Sequence, residues 1–145
     1  MAEVVNAPLY TIDILRLASD LPARCALERE DGRAELRSQT CGSVVAVAVT
    51  LDVDGRVEAL DLEVQACAFG QASSALMVRS AAGRTPDEVA EAVTALTDWL
   101  EGNRADAGAW PGLEALAPAR SRRSRHGAIL LPFRALLAAI EGARP

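Results

Sequence analysis

The run SVVAVAVTLDVDGRVEALDLEVQA, residues 43–66, constrains this chain more than any other stretch. Val45, Val47, Val49 and Leu51 fall at every second position, the period of a strand with one buried face. Asp54-Gly55 interrupts the alternation with residue types that accept the left-handed backbone of a tight hairpin turn. In the second arm Val57 and Ala59 keep one phase, and Leu60, Leu62, Val64 and Ala66 take the other. A shift by one residue flips every following side chain, so a β-bulge is expected near Ala59. Upstream, RCALEREDGRAELRSQT carries short alternating runs around Asp31-Gly32 and predicts another hairpin. Its first arm puts Cys25 beside Leu27 on an apolar face, so Cys25 reads as structural.

The flanking segments change period. In PLYTIDILRLASDLP the apolar residues Ile12, Leu15, Ile14 and Leu17 predict a helix ended by Pro22. The chain turns helical after Cys67 and is expected to stop at Gly83. Thr85-Pro86-Asp87-Glu88 is a capping box with proline at the first helical position. Behind it Val89, Val93, Leu96 and Leu100 form a stripe closed by Gly102. NRADAGAWPG reads as a loop and APARSRRSRHG as an irregular basic stretch. A last amphipathic helix surrounds Phe133, Leu136, Leu137 and Ile140, with Pro132 expected in its first turn. The expectation is an α+β fold: a small antiparallel three-stranded sheet with helices packed on one face, in one domain spanning 1–145.

Composition narrows the function. Half of the residues are hydrophobic but only 3% are aromatic, so Val, Leu and Ala must build the core. A net charge of −5 argues against nucleic-acid binding. The opening MAEVVNAPLY has neither the basic nor the apolar region of a secretory signal, and no apolar run approaches the ~18 residues of a membrane span. Three cysteines without such a signal predict free or metal-bound thiols in a reducing compartment, the cytoplasm.

Few side chains are reactive. Cys41 lies in QTCGSVV, where Gly42 marks a turn before a strand. Cys67 lies where a strand gives way to a helix, and there free backbone N–H groups and the helix dipole favour a thiolate. His126, the lone histidine, precedes the last helix. The cysteine spacing is not that of a zinc ribbon. Ser73 and Ser74 lie mid-helix without a nucleophile-elbow pattern, and Asp52 and Asp54 belong to a turn, so no catalytic set emerges and no enzyme is expected. Arg120, Arg122, Arg123 and Arg125 form either a solvated loop or a docking patch for an acidic partner.

Taken in order, Cys41-Gly42-Ser43, the Asp52 to Gly55 turn, Cys67, the run Ala72-Ser73-Ser74 and Gly83-Arg84-Thr85 resemble the iron–sulfur scaffold family of IscU and the NifU N-terminal domain. The resemblance runs from about Ala26 onward. It implies that Cys41 and Cys67 are ligands and that His126 matches the family histidine. Gly127 then stands where the third ligand cysteine belongs, and Ser43 replaces an aspartate that tunes how firmly a cluster is held. Leu116-Ala117-Pro118-Ala119-Arg120 takes the place of the family's chaperone motif. The resemblance thus implies a scaffold or carrier binding iron or a labile [2Fe–2S] cluster through Cys41, Cys67 and His126. Its implied partners are a cysteine desulfurase, a chaperone and recipient apo-proteins, with no role for nucleic acid or membrane. Two alternatives stay open. One is a zinc-bound or metal-free module that regulates the desulfurase machinery, and the other is a thiol that relays persulfide sulfur through Cys41 or Cys67.

Overall fold

The computed structural model describes residues 11–39 and 42–143. Its elements are α1 (Ile12–Ala18), β1 (Gly32–Arg37), β2 (Val44–Leu51), β3 (Val57–Gln65), α2 (Ala68–Ala81), α3 (Pro86–Leu100), a 3-10 helix (Leu113–Ser121) and α4 (Arg123–Ala143). The three strands form one antiparallel sheet in the order β1-β2-β3, with helices on one face. This is the expected α+β architecture.

The alternation of β2 sets the sheet. Val45, Val47 and Val49 point inward and are fully buried. Leu36 and Val64 flank Val45, Ala34 and Leu62 flank Val47, and Gly32 and Leu60 flank Val49. The phase slip also has its cause. Thr50 pairs with Ala59 but Leu51 pairs with Val57, so Glu58 is the extra residue of a bulge that turns Val57 back into the core.

The helices cover the inner face. α4 packs on β1 and β2, α2 on β3, α3 on α4, and α1 on α2. α3 starts with the complete capping box: Glu88 N–H donates to the Thr85 hydroxyl at 3.1 Å, and Thr85 N–H donates to the Glu88 carboxylate at 2.9 Å. That backbone donor holds the Glu88 carboxyl below its usual range. By length and a mean hydropathy of 1.2, α4 is apolar enough to cross a membrane. In the fold Ile129, Phe133, Leu136 and Ile140 are instead fully buried against the rest of the core.

Four expectations are corrected. Asp31-Gly32 is not a hairpin turn. β1 begins at Gly32, and the β1–β2 connection runs through the Ser38–Ser43 turn, closed by Ser38 N–H to the Ser43 carbonyl at 2.8 Å. Gly32 is needed because a Cβ there would lie 2.0 Å from the Ala139 carbonyl oxygen of α4. Cys25 is exposed and lies outside any strand. Its segment crosses the outer sheet face, tied down where Asp61 accepts from Arg24 and from Cys25 N–H at 3.0 Å. In α1 only Ile14 and Leu17 are buried, whereas Ile12 is 66% and Leu15 50% exposed, because α1 meets α2 along one narrow stripe. Finally, α4 begins at Arg123, which places Pro132 well inside the helix rather than in its first turn.

Candidate functional site

Cys67 is the N-cap of α2, with extended backbone at φ −68° and ψ 174°. Its side chain makes no capping hydrogen bond, so the thiol is not consumed in satisfying the helix start. The residue is half-buried and packs against the core. It is delivered there by β3, which ends at Gln65 opposite Val44, the first residue of β2.

Cys41 lies outside the described residues. Its neighbours are described: Gly42 takes φ +73°, which fits the expected turn, and Ser43 is buried. These residues feed directly into Val44, so the β1–β2 turn opens at the sheet end from which Cys67 emerges.

α2 and α4 run the same way, so the first turns of both lie at that end. The close approach is at Gly70, where a Cβ would meet the Ala66 side chain at 2.6 Å and the Ala128 carbonyl oxygen at 3.4 Å. His126 precedes Ala128 by two residues and sits in the first turn of α4. Its Nε2 lies 3.1 Å from the Ala119 carbonyl oxygen and 3.0 Å from that of Arg120. Both partners can only accept, so Nε2 carries the proton. In the neutral ring the lone pair is therefore on Nδ1, the nitrogen left for a metal. Among the described residues no three His, Cys, Asp or Glu side chains form a metal-binding group. Cys67 and His126 are thus the described members of the expected ligand set, on adjoining helix starts.

Sequence reasoning missed what steadies this end. The Arg120 guanidinium lies over the Trp99 ring at 4.9 Å from its centroid, and Arg120 Nε donates to the Trp99 carbonyl at 2.9 Å. That contact anchors the two carbonyls that orient His126. No spacing rule links residues 99, 120 and 126. Trp110 likewise donates to the Leu76 carbonyl at 3.0 Å and meets Phe133 edge-on at 5.2 Å.

The family model for the NifU-like N-terminal domain matches residues 9–107, more than half of the chain. The chain belongs to the NifU-like N-terminal domain family. That match includes both candidate thiols and ends before His126. The crystal structure of a nitrogen-fixing NifU-like protein (N-terminal) from Brucella abortus is 34% identical, with 93% of this chain and 94% of that one covered at a TM-score of 0.85. A second structure, described as a candidate iron–sulfur cluster assembly scaffold protein for the SUF system from Fervidobacterium islandicum AW-1, is 19% identical. It covers 97% of this chain and 99% of that one at a TM-score of 0.81 and supports the NifU-like fold. No curated protein matches the chain. Because the structural likeness covers 93% of the chain, it extends beyond residue 107 into α4.

Proposed function

We propose that this NifU-like protein is a scaffold or carrier in iron–sulfur cluster assembly, a binding protein rather than an enzyme. The reading is supported by family membership, by the scaffold role ascribed to its Fervidobacterium relative, and above all by an uncommitted Cys67 thiol at the start of α2 beside the start of α4. Cys41 and Cys67 would supply thiolates, the usual ligands of iron–sulfur cargo, and His126 would add Nδ1. With Gly127 in place of a third thiolate, the set is one strong ligand short. Cargo would be held loosely, as a labile [2Fe–2S] cluster or iron, which suits a protein that must release it. Sulfur would come from a cysteine desulfurase, and chaperones or recipient apo-proteins would take the cargo on, in the cytoplasm.

The missing thiolate also favours a second reading. Two thiolates, a histidine and water make a tetrahedral zinc site. A zinc-bound module would then regulate the desulfurase machinery instead of carrying cluster. Anaerobic reconstitution with iron, sulfide and a thiol separates the two. The scaffold reading expects visible absorbance that disappears in Cys41→Ser and Cys67→Ser and weakens in His126→Ala. Stoichiometric zinc without such absorbance would replace it with the regulatory reading. Persulfide transfer without bound metal would replace both.

A further inference from the structure

No carboxylate occurs between Glu114 and Glu141, whereas Arg120, Arg122, Arg123, Arg125 and Arg134 all fall there. In this acidic protein most other arginines are neutralised locally: Arg24, Arg29, Arg33, Arg79, Arg84 and Arg104 each pair with a carboxylate. Among the described residues the side chains of Arg120, Arg122, Arg123 and Arg125 make no ion pair. Four like charges packed into six residues repel one another and gain from an external anion.

The geometry shapes that positive charge into a site. A cleft of about 490 Å³ lies between the end of α3 and the start of α4, with Leu100, Glu101 and Gly102 on one wall and Arg120, Arg123 and His126 on the other. Arg120 is held by its Nε bond to Trp99 and by stacking on that ring, which leaves both Nη groups uncommitted. A guanidinium fixed in this way is pre-arranged for the two oxygens of a carboxylate.

We propose that this cleft docks an acidic peptide segment of a protein partner, with Arg120 and Arg123 reading its carboxylates and Arg122 and Arg125 adding to the attraction. Arginines spread over residues 120–125 suit a segment that carries several carboxylates better than one small anion. A nucleic acid would meet the net charge of −5. The proposal goes beyond the cluster reading and does not depend on it, because the charge and the cleft are there whatever the cargo.

Fluorescence anisotropy with a labelled Asp/Glu-rich peptide tests it, with the Asn/Gln counterpart of that peptide as control. The parent protein should bind the acidic peptide alone, and added salt should weaken the binding. Arg120→Gln combined with Arg123→Gln should weaken it by at least about tenfold, the effect of losing hydrogen bonds to charged groups. Arg16→Gln combined with Arg134→Gln, two exposed arginines outside the cleft, should leave it unchanged. Because Arg120 packs on Trp99, Arg123→Glu serves as a second variant that keeps that contact, with circular dichroism as the folding check. Equal binding of both peptides, or an equal loss in the Arg16/Arg134 variant, would overturn the proposal. So would displacement of the peptide by inorganic phosphate at matched ionic strength, or equally tight binding of a labelled DNA duplex. Sedimentation that shows parent dimers abolished by the Arg120/Arg123 variant would assign the cleft to a second copy of this chain instead.

Discussion

The Ser73 hydroxyl donates to the Ile129 carbonyl oxygen at 2.6 Å, joining the middle of α2 to α4 just before Pro132. Both residues are fully buried. Pro132 has no N–H, so it cannot bond back to Ala128, and its ring crowds that turn. Gly70 packs against Ala128 and Ser73 ties down the Ile129 carbonyl, so α2 and α4 stay in contact beside Cys67.

Ser73→Ala should therefore lower the unfolding free energy by about 1 kcal/mol, the net worth of one hydrogen bond. Urea denaturation reads it as a lower midpoint at an unchanged slope. An unchanged midpoint would mean that the hydroxyl contributes nothing to the joint.

Gly32→Ala should be more damaging. The added Cβ would stand 2.0 Å from the Ala139 carbonyl and 2.9 Å from the Ala143 side chain, so α4 must shift away from β1. Overpacking of this kind costs about 1–3 kcal/mol. The check is the thermal or urea midpoint, and parent-like stability would show that α4 does not lie against the start of β1.

Asp61→Asn should change the pH dependence of stability. The Arg24 guanidinium, helped by Cys25 N–H and opposed by desolvation, holds the Asp61 carboxyl below its usual range. A carboxyl with a lowered folded-state pKa stabilises the fold above its unfolded pKa of about 3.9, and that contribution disappears as pH falls through the folded value. Parent and variant should therefore differ most near neutral pH and converge as pH falls below about 4. Denaturation midpoints measured across that range decide it, and parallel curves would rule out the linkage.

Gly127→Cys should prolong the life of a reconstituted cluster against chelators. Gly127 lies within α4 and is not among the positive-φ glycines, so the backbone accepts a side chain. A thiolate there would stand next to His126 and complete the set with the ligand iron prefers. Equal lifetimes in a variant folded by circular dichroism would mean that this position does not face the cargo.

Short-range pattern alone determined a good deal of this protein. The valine alternation of β2 marks the face it turns to the helices, although Ala46, Ala48 and Thr50 on the other face are buried too; the slip near Ala59 appears as the Glu58 bulge, and the Thr85–Glu88 box caps α3 with both of its hydrogen bonds. Each of these depends on residues a few positions apart, and chain geometry ties such residues together whatever the rest of the molecule does. Cys67 at a helix start belongs to the same class.

Tertiary structure decided the rest. Asp31-Gly32 has the composition of a turn, yet Gly32 is there to let α4 approach β1. Cys25 follows an apolar alternation, yet Asp61 draws its segment across the outer face and leaves the thiol exposed. Pro132 has the look of a helix start, but packing against α2 carries α4 through it from Arg123. The tautomer of His126 and the hold on Arg120 depend on carbonyls and a ring supplied by other segments. The physical reason is shared: a local preference is worth a few tenths of a kcal/mol to about 1 kcal/mol, and contacts between distant segments, added together, outweigh it.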